Sequence, residues 1–124
     1  MHRPRPLKPD RIRIIERPFG WIPFRILSSG IFSRLSVPAR QLYFFLCLVA
    51  DKNGISFYGD FRLNMLLKLT SPELSLARSE LMRKDLLAYD GRVYQLLSLP
   101  QLPDNGTQEP QHMGDVLARL GLGG

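Results

Sequence analysis

The chain has 124 residues, 44% hydrophobic and 23% charged, which suits one folded domain with a single core and excludes wholesale disorder. One cysteine excludes an internal disulfide framework, and that cysteine with two histidines is too small and too scattered a set for a metal site. The net charge of +6 is uneven: residues 1–40 carry +7, residues 41–100 carry +1 and residues 101–124 carry −2.

Residues 1–18 open with His2-Arg3-Pro4-Arg5-Pro6-Leu7-Lys8-Pro9, a proline-punctuated basic arm that can form neither a helix nor a core strand and is expected to be extended and mobile. Asp10 and Arg11 stand where a secretory signal would have its apolar stretch, so a cytoplasmic location is expected. The domain proper is expected over residues 19–100. It begins with a strand or extended segment over Phe19–Ile26 and a short helix near Ser28–Arg34. A long buried helix over Pro38–Asp51 follows, containing the apolar run Leu42–Ala50. That run has nine residues, well short of the ~20 that cross a bilayer, so it reads as core and makes Cys47 a buried structural thiol. Asp51-Lys52-Asn53-Gly54 is a turn, and Ile55–Tyr58 a first strand. Asp60 is the expected cap of a helix over Phe61–Leu69. A second helix is expected over Pro72–Leu87, with Ser71 accepting from its free N–H groups and Pro72 at its first position. Leu74, Ala77, Leu81 and either Asp85 or Ala88 form its apolar stripe. Asp90-Gly91 between β-formers marks a tight two-residue hairpin that pairs with the first strand. Residues 101–124 read as a flexible tail rich in proline, glycine and glutamine, with one amphipathic turn at Val116, Leu117 and Leu120.

The segment LLKLTSPELSLARSELMRKDLLAYDGRVYQLLSLP, residues 66–100, resembles the winged helix-turn-helix domains of bacterial transcriptional regulators and of plasmid and phage replication initiators. Trp21-Ile22-Pro23-Phe24, Leu27, Ile31 and Leu35-Ser36-Val37-Pro38-Ala39-Arg40-Gln41-Leu42-Tyr43 are similar to the leading strand and first helix of the initiator type, extending the likeness to residues 21–100. Lys68 departs from the pattern, which often has Gly before the turn. The resemblance implies a mainly α fold with a small antiparallel sheet (α+β), the helix over Pro72–Leu87 in the role that reads bases and the hairpin as wing.

The residues themselves offer little chemistry for catalysis, and neither an enzyme nor a bound cofactor is expected. No glycine loop with a following Lys-Ser/Thr is present to cradle phosphate. Glu80 and Asp85 read as solvated charge on a helix surface. The candidate contacts to double-stranded DNA are Ser75, Arg78, Ser79, Met82 and Arg83 on the second helix, Arg92 at the hairpin tip, and Lys68 and Arg62, with Arg40 flanking. In the arm they are Arg3, Arg5, Arg11 and Arg13, which either follow a phosphate backbone or enter a minor groove, or else belong to a solvated tail. The second helix is itself neutral, which leaves open a protein-interaction module and a homodimer or other protein partner. The eight aromatics Tyr43, Phe44, Phe45, Phe57, Tyr58, Phe61, Tyr89 and Tyr94 fall at core-like spacings.

Overall fold

The computed structural model describes residues 4–100. Among them, four helices and a three-stranded antiparallel sheet make a mixed α+β fold. Helix α1 is Arg25–Ser28, α2 Val37–Val49, α3 Asp60–Leu67 and α4 Ser71–Arg83; the strands are β1 Ile55–Phe57, β2 Leu87–Tyr89 and β3 Val93–Leu96, with 3-10 turns at Pro9–Arg11 and Phe32–Arg34. β3 lies between the other two, pairing Ser56 with Tyr94 on one side and Tyr89 with Tyr94 on the other. No described helix is long and apolar enough to cross a membrane.

The core forms where α2 and α4 pack together and the sheet closes over them. Ala39, Leu42, Leu46 from α2, Leu74, Ala77, Leu81 from α4, Leu63 from α3 and Tyr94 from β3 are all at most 1% exposed. Full burial of one such leucine contributes about 1.5–3 kcal/mol. Cys47 is buried beside Tyr43 as expected, and burial pushes its thiol up to about 11, so it stays protonated at neutral pH.

The helix boundaries differ from expectation in ways the local chemistry explains. Phe19–Ile26 forms no strand; α1 already begins at Arg25, and Gly30 in the left-handed region (φ +82°) separates it from the Phe32–Arg34 turn. Helix α4 is capped by Thr70, not Ser71. The Thr70 hydroxyl accepts from the Glu73 N–H at 3.2 Å while the Glu73 carboxylate accepts from the Thr70 N–H at 2.9 Å, a reciprocal pair that needs an acid three residues on. Ser71 has Leu74 there and cannot form it. These bonds hold the Glu73 carboxyl below its ordinary range. Asp60 is the first residue of α3 and does not cap it; Gly59 occupies the cap without a side-chain bond. α4 stops at Arg83, Asp85 is left-handed (φ +61°), and Leu86 and Leu87 turn into the core, so Ala88 belongs to β2 and is exposed. The hairpin turn is centred on Gly91-Arg92, one residue later than expected. Asp90 N–H donates to the Val93 carbonyl, and the Asp90 carboxylate accepts from Arg92 and Val93 N–H at 2.9 and 2.7 Å. The Val93 bond first, then the Arg92 bond, hold its carboxyl low.

Two contacts join distant parts of the chain. The Arg25 guanidinium donates to the Pro100 and Leu99 carbonyls at 2.8 and 3.0 Å. Glu80 on α4 accepts from the Ser36 N–H and hydroxyl at 2.8 and 2.7 Å, so it is not a solvated surface charge but a second cap on the start of α2. Partial burial would raise its carboxyl, but the Ser36 bonds together with Lys84 and Arg83 hold it low.

Candidate nucleic-acid interface

The cations of the folded part divide into those the protein uses internally and those it leaves exposed. Arg78 belongs to the first group, although its place on α4 made it a candidate for base contact. Its Nε donates to the Tyr94 hydroxyl at 3.1 Å, its terminal nitrogen pairs with Asp60, and its guanidinium lies 4.4 Å from the centre of the Tyr89 ring. The side chain is 14% exposed against 57% for Asp60. Tyr89 and Tyr94 stack at 4.3 Å, so one guanidinium holds α4, the start of α3 and the hairpin together. Burial pushes the Tyr94 hydroxyl up to about 12, with Arg78 opposing. Arg40 stacks on Phe32 at 4.5 Å and donates to the Phe32 and Ser33 carbonyls, while Lys84 donates to the Arg34 carbonyl at 3.0 Å. The carbonyls of the Phe32–Arg34 turn thus absorb both.

The exposed group is larger. On α4, Ser75, Ser79, Met82 and Arg83 all face solvent with Leu76, because Ala77 and Leu81 between them fill the core. Lys68 is exposed at the joint between α3 and α4 and sits in the left-handed region (φ 55°, ψ 44°), where its N–H still closes α3 onto the Asn64 carbonyl. Glycine would take that conformation without strain, which is why the pattern often has it. Arg62 projects from α3 and covers the Tyr58 ring at 5.2 Å. Arg92 is exposed at the hairpin tip, presented by the turn that Asp90 fixes. Arg5, Arg11 and Arg13 are exposed along the arm, where the Pro9–Arg11 turn is the one regular element among the described residues; Arg3 lies outside the described residues, as does the Val116–Leu120 segment.

The aromatic residues divide as well. Tyr43 and Tyr94 are buried and Phe45, Tyr58 and Tyr89 half-buried, but Phe44, Phe57 and Phe61 are 42%, 61% and 77% exposed. Core-like spacing fails at Phe57 because side chains alternate along a strand and Ser56 takes the inward position, at Phe61 because Leu63 is the buried residue of α3, and at Phe44 because it lies beside the buried stripe of α2. The inward turn of Arg78 had a signal in the sequence, its spacing of one residue from Ala77 on the buried stripe, but its partners Tyr94 and Asp60 are fixed by tertiary packing. Comparison with protein-family models, with curated proteins and with solved structures returned no match.

Proposed function

We propose that the chain is a small bacterial winged helix-turn-helix protein that binds double-stranded DNA, acting in the cytoplasm on the nucleoid as a transcriptional regulator or as an accessory factor of replication or of a mobile element. The observation that carries this reading is the order of α2, β1, α3, α4, β2 and β3 with β3 central in the sheet, combined with exposed cations at the α3–α4 joint, on α4 and at the hairpin tip. In this reading α4 enters the major groove, where Arg83 is its one outward guanidinium and Ser75, Ser79 and Met82 make the shorter contacts. Lys68, Arg62 and Arg92 grip phosphates, and the arm adds a sequence-independent contact.

Fluorescence anisotropy on short random duplexes across a salt series tests this. If about four to eight phosphates are neutralised, the logarithm of affinity falls against the logarithm of salt with a slope of roughly −4 to −7. Deleting residues 2–17 removes six basic residues with Asp10 and Glu16 and is expected to shallow that slope while leaving sequence preference in place. Failure to bind any duplex at low salt refutes the reading. The second reading, a protein-interaction module, would then stand, and the exposure of Phe61 (77%) on α3 and Leu76 (71%) on α4 favours it.

A further inference from the structure

The solvent side of α2 carries a mainly apolar stripe that the described residues leave exposed. Val37, Gln41, Phe44 and Leu48 follow at intervals of four, three and four residues, the spacing of a coiled-coil seam. Val37 and Leu48 are each 64% exposed. The opposite side of the same helix supplies Ala39, Leu42, Tyr43, Leu46 and Cys47 to the core, so α2 is apolar on two faces and only one of them is buried. Its single charge, Arg40, is held by the Phe32 and Ser33 carbonyls and leaves the stripe uncharged. The patch continues at both ends. Phe32 stacks on Phe44 at 5.5 Å. Gly20 lies so near α2 that a Cβ there would stand 2.4 Å from the Cys47 carbonyl oxygen and 2.5 Å from Leu48 Cα; its neighbours Phe19 and Trp21, 54% and 69% exposed, therefore stand at the Leu48 end.

We propose that this face is the interface of a homodimer in which α2 packs antiparallel on α2 of a second copy. The stripe is its own complement: about the midpoint between Leu42 and Tyr43, position 37 exchanges with 48 and position 41 with 44. A two-fold axis at that point sets Val37 against the partner's Leu48 and Gln41 against the partner's Phe44, the self-matching a closed dimer requires. Antiparallel packing also sets opposite ends of the two helix dipoles together. A face without charges suits an identical face, where any charge near the axis would meet its own copy. Phe19, Trp21 and Phe44 with Val37 and Leu48 offer on the order of 600 Å² of apolar side-chain surface per protomer, comparable with the roughly 800 Å² per partner of a standard interface once flanking atoms are counted. This arrangement does not depend on whether the protein binds DNA.

Sedimentation equilibrium on the full chain tests the proposal. Dimers of the 14.2 kDa chain are expected at micromolar concentration. Val37→Glu alone and Leu48→Lys alone each put an unpaired charge into the seam and are expected to weaken association by more than about tenfold. Each sign suits its end of the helix, so circular dichroism and the melting profile of the monomer should be retained. Combining the two changes sets each new carboxylate against an ammonium group of the partner and is expected to restore the dimer. A wild-type chain that stays monomeric to about 100 μM, a range in which even weak dimers form, overturns the proposal, as does a dimer indifferent to both single changes. A double variant as dissociated as the singles overturns the antiparallel register. If residues 101–124 cover the stripe instead, the wild type is monomeric and their deletion produces the dimer, which also refutes it.

Discussion

Replacing Arg78 by alanine separates the interior role of this side chain from a role in reading bases. The change removes the only hydrogen bond that the described residues donate to the hydroxyl of Tyr94, a residue 0% exposed, and leaving a buried polar atom unsatisfied costs about 1–3 kcal/mol. It also removes the cation over Tyr89, worth about 0.5–1 kcal/mol. The ion pair adds little, because Asp60 is 57% exposed and such pairs contribute about 0–1 kcal/mol. Together these amount to roughly 2–4 kcal/mol, against the ±0.5 kcal/mol or so of an ordinary surface substitution. For a domain of this size that corresponds to a fall in melting temperature on the order of 10–20 °C. Urea unfolding followed by circular dichroism reads the loss directly, with Arg83→Ala as the control that should leave stability unchanged while weakening duplex binding. A change below about 0.5 kcal/mol for Arg78→Ala would mean that the side chain lies in solvent and that the three-way contact with Tyr94, Tyr89 and Asp60 does not hold the fold.

Leu81→Ala, at a position 0% exposed between α2 and α4, is expected to cost about 2–5 kcal/mol, measured as a shifted urea midpoint; an unchanged midpoint would place Leu81 outside the core. Lys68→Gly relieves the left-handed backbone at φ 55° and is expected to gain about 0.5–1 kcal/mol after the greater flexibility of unfolded glycine is deducted, with some loss of duplex affinity; destabilisation in the same melt would contradict the conformation described. Glu80 is held low in the folded state by its bonds to Ser36, so the stability it contributes is present above its ordinary carboxylate range and is lost as pH falls through that range and below. Glu80→Gln should therefore flatten the acid side of a stability-against-pH curve and leave its neutral side less stable, and a curve parallel to the wild type would refute the linkage.

The parts of the fold that could be read from the chain are those set by local periodicity. The stripe Leu74, Ala77, Leu81 gave the buried face of α4, and the apolar run around Leu42 and Leu46 gave α2. The short strand at Ile55 and the hairpin near Gly91 followed from turn residues with β-formers on either side. What could not be read depends on partners far along the chain. Glu80 looked like a solvated acid because Ser36 is 44 residues away, and Arg78 looked like a free cation because Asp60 and Tyr94 meet it only after the sheet has closed. Phe57 and Phe61 look like core by type alone. One error was local: the pair Thr70 and Glu73 carries the capping pattern in full, and Ser71 with Pro72 imitates it one residue later.

The Arg25 guanidinium, fastened to the Leu99 and Pro100 carbonyls, makes neighbours of residues 74 and 75 positions apart. Residues 25 and 100 therefore stand at one pole of the domain. The same proximity allows the chain order to be recut: a short bridge from residue 100 to residue 24, with new ends opened at Gly91 in the exposed hairpin turn, would keep every helix and strand and exchange one surface loop for another.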